Sequence, residues 1–217
     1  MKKFEFTGET KTMVDGTVLH RIKALVCIEL GCKTIKIGEL GGWIEKEENL
    51  SHNGDAWVYG NARVYGDARV YGDARVYGGA RVYGDAWVYG NARVYGDAWV
   101  SGDAEVYGDA RVYGGARVYG DARVYGDARV YGDARVYKCE HILVIGPIGS
   151  RNAFTTFFRT KDRDIKVACG CFLGTTYEFL EKVKKTHGDS KYGVVYRAAV
   201  EVALAHIDIS EEEPSDI

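Results

Sequence analysis

Between Trp57 and Tyr137 the apolar positions recur with a strict period of six, through fourteen units close to Ala-Arg-Val-Tyr-Gly-Asp. In the unit Asp73 to Gly78 an extended backbone alternates its side chains, so Ala74 and Val76 share one face and Arg75 and Tyr77 the other. The apolar pair must face the interior. Gly78 and the residue after it then turn a corner, because Gly accepts a left-handed backbone and Asp or Asn is the next most tolerant type. Asn61, Gly79, Asn91 and Gly115 all stand at the usual Asp position, which fits a corner and not a strand. Three sides close a triangular coil of eighteen residues, with Val filling each side and Ala the converging corners. Fourteen units make about four and two-thirds coils, roughly 22 Å tall at ~4.8 Å between strands. Coils bond only to their neighbours, so both ends of the stack must be covered.

The flanks carry different patterns. Residues 1–56 read as an N-terminal cap of one or two irregular first coils, with strands at Lys3–Phe6, Thr17–Ile28 and Thr34–Ile37 and a turn at Asp15-Gly16. Residues 138–209 read as a separate small α/β module of order β-β-β-α-α. Its strands are expected at His141–Ile145, Ala153–Arg159 and Asp164–Ala168, joined by turns at 149–152 and 161–163. Thr175 or Thr176 caps a helix running to about Thr186, which His187-Gly188-Asp189 ends. A second helix, Lys191 to His206, carries Val194, Val195, Ala198, Ala199, Val202 and Ala205 at helical spacing. Residues 210–217 are acidic and expected to be unstructured.

An aliphatic residue with a small one two places before it, repeated every six, resembles the hexapeptide-repeat family. That resemblance covers 57–137 and implies a mainly β fold, a left-handed parallel β-helix; the period alone also admits a right-handed coil. Gly41-Gly42-Trp43-Ile44, Asn49-Leu50-Ser51 and Gly54 to Tyr59 look like the opening segment of bacterial acyltransferase-like solenoids. The C-terminal module is similar to modules that accompany such solenoids in bacterial and phage genomes. The resemblance implies self-association, as trimer or dimer, and a host protein that this chain would bind and block. Acyltransferases of this fold use a His at a subunit interface, and no His occurs between 53 and 137. A non-catalytic binding or scaffold protein is therefore expected, with no cofactor; transferase activity is the least favoured alternative.

The formal net charge is −2, and the repeat block sets ten Arg against nine Asp and Glu105. This balance argues against a bulk nucleic-acid binder, which carries a basic excess. No apolar run is long enough to span a membrane and Met1-Lys2-Lys3 leads into no signal-type apolar segment, so a cytoplasmic protein is expected. Five cysteines (Cys27, Cys32, Cys139, Cys169, Cys171) read as reduced thiols.

Candidate chemistry lies where the repeat is broken. Adding eighteen sorts the outward Arg position into three columns. The first contains Trp57; the second runs Arg63, Arg81, Trp99, Arg117, Arg135; the third runs Arg69, Trp87, Glu105, Arg123. Ser101 is the one break among the Tyr positions. Trp87, Trp99, Ser101 and Glu105, with Arg123, fall within about one coil of each other and form a candidate protein-docking patch. The alternative is that these residues and the Arg and Tyr ladders only support one another. The ladders also offer planes for a nucleotide or nucleic acid. In the C-terminal module Gly149, Ser150 and Arg151 are candidates for holding an anion or nucleotide, against a plain hairpin turn. Cys169-Gly170-Cys171, with Cys139, His141 and His187, bears metal-capable donors, but the Cys spacing departs from that of zinc sites and no metal is expected.

Overall fold

A computed structural model describes residues 1–31 and 33–213; Cys32 and residues 214–217, the end of the acidic tail, lie outside the described residues. Each Arg-Val (or Trp-Val, Glu-Val) pair of the repeat forms a short strand, fourteen in all, from β6 (Trp57–Val58) to β19 (Arg135–Val136). Every third strand pairs in parallel and in register, Trp57 with Arg75, Arg63 with Arg81, Arg69 with Trp87. Three faces result, with strand orders matching the columns read from the sequence. The Ala and Val of every unit are fully buried. Backbone groups satisfy each other between coils, as in Arg75 N–H to Ala92 O (2.9 Å) and Tyr77 N–H to Val94 O (3.0 Å). The chain is thus a parallel β-solenoid of about five turns with a C-terminal module of one sheet and two helices.

The N-terminal cap is only in part the irregular first coil expected: Trp43 and Ile44 pair in parallel with Arg63 and Val64, and Leu50 with Val70, but two hairpins precede them. β1 (Phe4–Thr12) and β2 (Val18–Ala24) form an antiparallel hairpin about Asp15 and Gly16. β3 (Ile28–Glu29) and β4 (Thr34–Ile35) make a second, smaller hairpin. β5 (Leu40–Ile44) pairs antiparallel with β2 and parallel with the Arg63–Val64 strand, joining cap to solenoid. β1 runs past Phe6 because the ladder slips between Phe6 and Thr10, where Gly8 takes a positive φ of 90°. The expected single strand Thr17–Ile28 breaks after Ala24, so that Ile28, Leu30 and Ile35 enter the core. Trp57, placed in an outward column by the repeat, is fully buried beneath this cap, its ring 6.5 Å from that of Phe4.

The leading edge of each face needs donors for carbonyls that no preceding coil supplies. The β5 backbone serves the first face, Trp43 N–H bonding Ala62 O and Glu45 N–H bonding Val64 O. On the other two, side chains serve the Gly and Ala carbonyls, and Ser51 N–H also reaches Val70 O (2.9 Å). The Asn49 amide donates to Gly66 O (3.0 Å) and Ala68 O (2.9 Å). The Lys3 ammonium donates to Gly54 O (3.1 Å) and Ala56 O (2.8 Å). Burial lowers the Lys3 pKa to about 8, against the opposing pull of Asp55 and Asp73.

The C-terminal sheet is a four-stranded antiparallel meander: β20 (Ile142–Ile148), β21 (Ala153–Arg159), β22 (Ile165–Cys169) and β23 (Phe172–Thr175). The fourth strand is absent from the β-β-β-α-α order expected; Gly170, at φ 60°, lets the chain reverse and pair Cys169 with Phe172. Adjacent Phe157 and Phe158 point to opposite faces. Phe158, with Ile142 and Ala168, continues the solenoid core, while Phe157, Ile165 and Val167 pack on the helices. α1 (Thr176–His187) starts at Thr175, whose hydroxyl accepts from Glu178 N–H while the Glu178 carboxylate accepts from Thr175 N–H. α2 (Lys191–His206) follows after Gly188.

The acidic tail is also ordered further than its composition implied. Arg159, 1 % exposed, donates to Glu211 O (2.7 Å), Tyr137 donates its hydroxyl to Glu212 O (3.2 Å) and Arg135 pairs with Glu213 (3.3 Å). Two buried guanidinium groups at the end of the stack draw the carboxylates and carbonyls of the tail onto it.

His141 is fully buried where solenoid and module meet, with its Nδ1 accepting from Tyr137 N–H (3.4 Å). Burial first, then Arg159 and Lys138, pushes its pKa down from 6.5 to about 4. Between those values the unfolded chain binds a proton that the native state refuses, so stability falls as pH drops from 6.5 towards 4. Thermal midpoints across that window should fall in the native chain and fall less steeply in His141→Gln.

Candidate functional site

The outward side chains of the solenoid are largely engaged with one another. Tyr59, Tyr77, Tyr95, Tyr113 and Tyr131 stack at centroid separations of 4.8, 4.8, 4.8 and 4.5 Å. Tyr71, Tyr89, Tyr107 and Tyr125 form a second stack. Ser101, 5 % exposed, divides the third into Tyr65–Tyr83 and Tyr119–Tyr137. With ring faces covered at these spacings, no interval in the continuous stacks admits a nucleobase.

The candidate docking patch is divided by the same geometry. Trp99 and Ser101 lie on the face that contains β19, whereas Trp87, Glu105 and Arg123 lie on the neighbouring one. Trp99 is held between Arg81 and Arg117, 4.7 and 4.5 Å from its ring. Glu105 accepts from the Tyr89 hydroxyl (2.8 Å) and pairs with Arg123 (3.4 Å). Burial of Tyr89, and then the Glu105 carboxylate, raise the pKa of that phenol. Trp87 and Arg123 stay substantially open, Trp87 beside a groove of about 460 Å³ lined by Glu48, Ser51, Arg69 and Tyr71.

The anion candidates in the C-terminal module occupy a different setting. Gly149, Ser150 and Arg151 form the β20–β21 turn, as the hairpin reading expected. That turn is also one wall of a cleft of about 200 Å³, which contains Ser150 and Arg151. The β22–β23 turn forms the second wall and α1 the third, bringing Phe172, Phe179, Lys182 and Val183 to the same space, with Tyr196 of α2 behind them. Gly149 is required here: a Cβ on it would stand 1.8 Å from the Tyr196 hydroxyl. Cys169, Cys171 and His187 line this cleft but Cys139 and His141 do not, so the donors grouped from the sequence belong to two places. Among the described residues no three His, Cys, Asp or Glu side chains are placed to hold a metal ion.

The cleft has a one-sided charge. No carboxylate lines it, and Arg151 has neither an ion pair nor a hydrogen bond among the described residues. Lys182 lies over the Phe172 ring at 5.1 Å and forms no ion pair among those residues. The Tyr196 hydroxyl sits on a residue 7 % exposed, and its one polar contact among the described residues is the Cys169 sulfur, at 4.0 Å. Burial and Cys169 raise its pKa to about 12, so the phenol is a standing hydrogen-bond donor. Sequence reasoning singled out Ser150 and Arg151 but missed Lys182, Phe172, Phe179 and Tyr196.

Comparison with known families agrees with the architecture. A model of the YdcK β-solenoid repeat matches residues 56–72, 68–84, 86–102, 104–120 and 116–130. The chain is a β-solenoid repeat protein. No curated protein matches it. The matched segments lie wholly within the solenoid and the cleft lies outside them.

Proposed function

We propose that this chain is a non-catalytic binding protein in which the solenoid is a rigid mount and the C-terminal module is the recognising head. One contrast carries the reading. The ladders of the mount use their contact capacity on each other, while the head holds Arg151, unpaired among the described residues, and exposes Val194, Val195, Val202 and Leu204 along α2. Large apolar side chains left open on the outer face of a helix whose inner face, Tyr196, Ala199, Val200 and Ala203, is buried mark a protein-contact surface. The Trp87 groove is the rival surface, and a partner that docks on the solenoid belongs to it.

Affinity capture with three chains decides between them. Trp87→Ala with Trp99→Ala should retain the partners bound by the native chain, and Val194→Lys with Val202→Lys should lose them. The opposite pattern returns recognition to the solenoid. Sedimentation of the same head variant shows whether a second copy of the chain is one occupant of the stripe.

A further inference from the structure

We propose that the cleft between the two hairpin turns and α1 binds a small organic anion, a single flat ring bearing a carboxylate or phosphate. The inference rests on the head being the recognising part and adds what this part of it takes. Aromatic rings line the cleft. Phe172 and Phe179 present rings 5.3 Å apart and tilted by 48°, and Phe179 meets Tyr196 edge-on at 5.4 Å. Val183 and Ala153 complete an apolar slot. A flat ring is the shape that gains most from such walls, through edge-to-face and offset contacts.

The polar groups are arranged around that slot and all have the same preference. Arg151 and Lys182 bring full positive charge, Ser150 and Thr186 hydroxyls, and His187 an imidazole 5.6 Å from the Tyr196 ring. Arg151 is the group whose planar fork fits a carboxylate or phosphate, and it has nothing else to bind among the described residues. A cation placed beside apolar walls with no acid among the lining residues has its attraction for an anion undiminished by a partner in the cleft. The deep phenol adds a second observation, independent of charge. Tyr196 is buried and its hydroxyl has, among the described residues, only a long contact to sulfur, whereas buried hydroxyls ordinarily have a full oxygen or nitrogen partner. A ligand oxygen at the inner end of the slot would supply one.

Size limits the class. The cleft of about 200 Å³ is smaller than the ~300–1,000 Å³ of sites that enclose drug-sized ligands. One ring with its anionic group fits; a whole nucleotide does not.

Titration calorimetry on the full chain with benzoate, phenyl phosphate and inorganic phosphate tests this, with amide NMR shifts to locate the site. At least one ring anion should bind, shifting Phe172, Lys182 and Tyr196 amides, and inorganic phosphate should bind at least tenfold more weakly. Arg151→Gln should weaken binding tenfold or more and Thr186→Trp, which fills the mouth, should abolish it. Both positions are exposed, so unchanged thermal midpoints will show the fold intact. Affinity should fall with added salt. No binding at millimolar probe, equal binding by inorganic phosphate, or indifference to both substitutions would overturn the proposal. If the probes fail while the α2 variant still loses its partners, the cleft reading alone falls. If a probe binds while partner capture follows Trp87, the head falls as the macromolecular recognition surface and the cleft stands.

Discussion

Asn49→Leu is expected to lower stability by several kcal/mol and to loosen the N-terminal end of the solenoid first. Asn49 is fully buried, and its amide donates to Gly66 O and Ala68 O while its Oδ1 accepts from Lys46 N–H (2.9 Å) and Glu45 N–H (3.2 Å). Glu45 N–H has a second acceptor in Val64 O and survives the change. The other three groups lose their partner inside the protein, at ~1–3 kcal/mol each. The sum is comparable with the net stability of an ordinary domain. In a solenoid that loss is local, because each coil is coupled only to the next. Hydrogen exchange should therefore accelerate in residues 40–50 while amides of the coils around Val94 and Val112 remain protected. Asn49→Asp keeps the acceptor but sets a buried carboxylate oxygen against Gly66 O and Ala68 O, and at neutral pH should cost at least as much as Leu. A uniform rise in exchange along the whole stack would show that the solenoid unfolds as one unit and that Asn49 is not a local plug.

This plug shows what a repeat sequence reveals and what it conceals. Periodicity exposed the interior: the Val and Ala positions are buried in every unit, and adding eighteen reproduces the observed register. It also gave the height of each departure from the repeat. It did not give a shared surface, since Trp87 and Trp99 are at similar height but belong to different sheets. Nor did it reveal the end caps, because Asn49 and Lys3 lie outside the repeat and act through side chains that impersonate a missing strand. In the C-terminal module the two helices were legible from spacing and the Thr175 cap. The cleft was not, because its walls come from two turns and two helices far apart in sequence. Reading Cys169-Gly170-Cys171 as a possible donor motif concealed the hairpin that brings Phe172 to Lys182. The acidic tail misled in the opposite direction: its composition gives no sign that buried Arg135 and Arg159 await it.

Two alanine substitutions at the same repeat position separate the backbone and stacking demands on the corner glycines. Gly120 and Gly132 both have positive φ, 62° and 70°, so each Gly→Ala incurs a similar left-handed penalty, ~1–2 kcal/mol. Their surroundings differ. A Cβ on Gly120 would stand 2.4 Å from Tyr137 O, whereas one on Gly132 would have nothing within 4 Å. Tyr137 is 4 % exposed, and Tyr119 N–H donates to Val136 O (2.9 Å) just before it, so that carbonyl cannot retreat without opening the last coil. Gly120→Ala should therefore cost upwards of ~3 kcal/mol, in the range reserved for overpacking and broken backbone pairing. Gly132→Ala should stay near the conformational penalty alone. Denaturant midpoints on the two variants measure the difference directly. Equal losses would mean that glycine recurs at this corner for its φ and not for the coil beside it. A difference of ~2 kcal/mol or more would mean that the spacing between coils leaves no room for a Cβ at this corner.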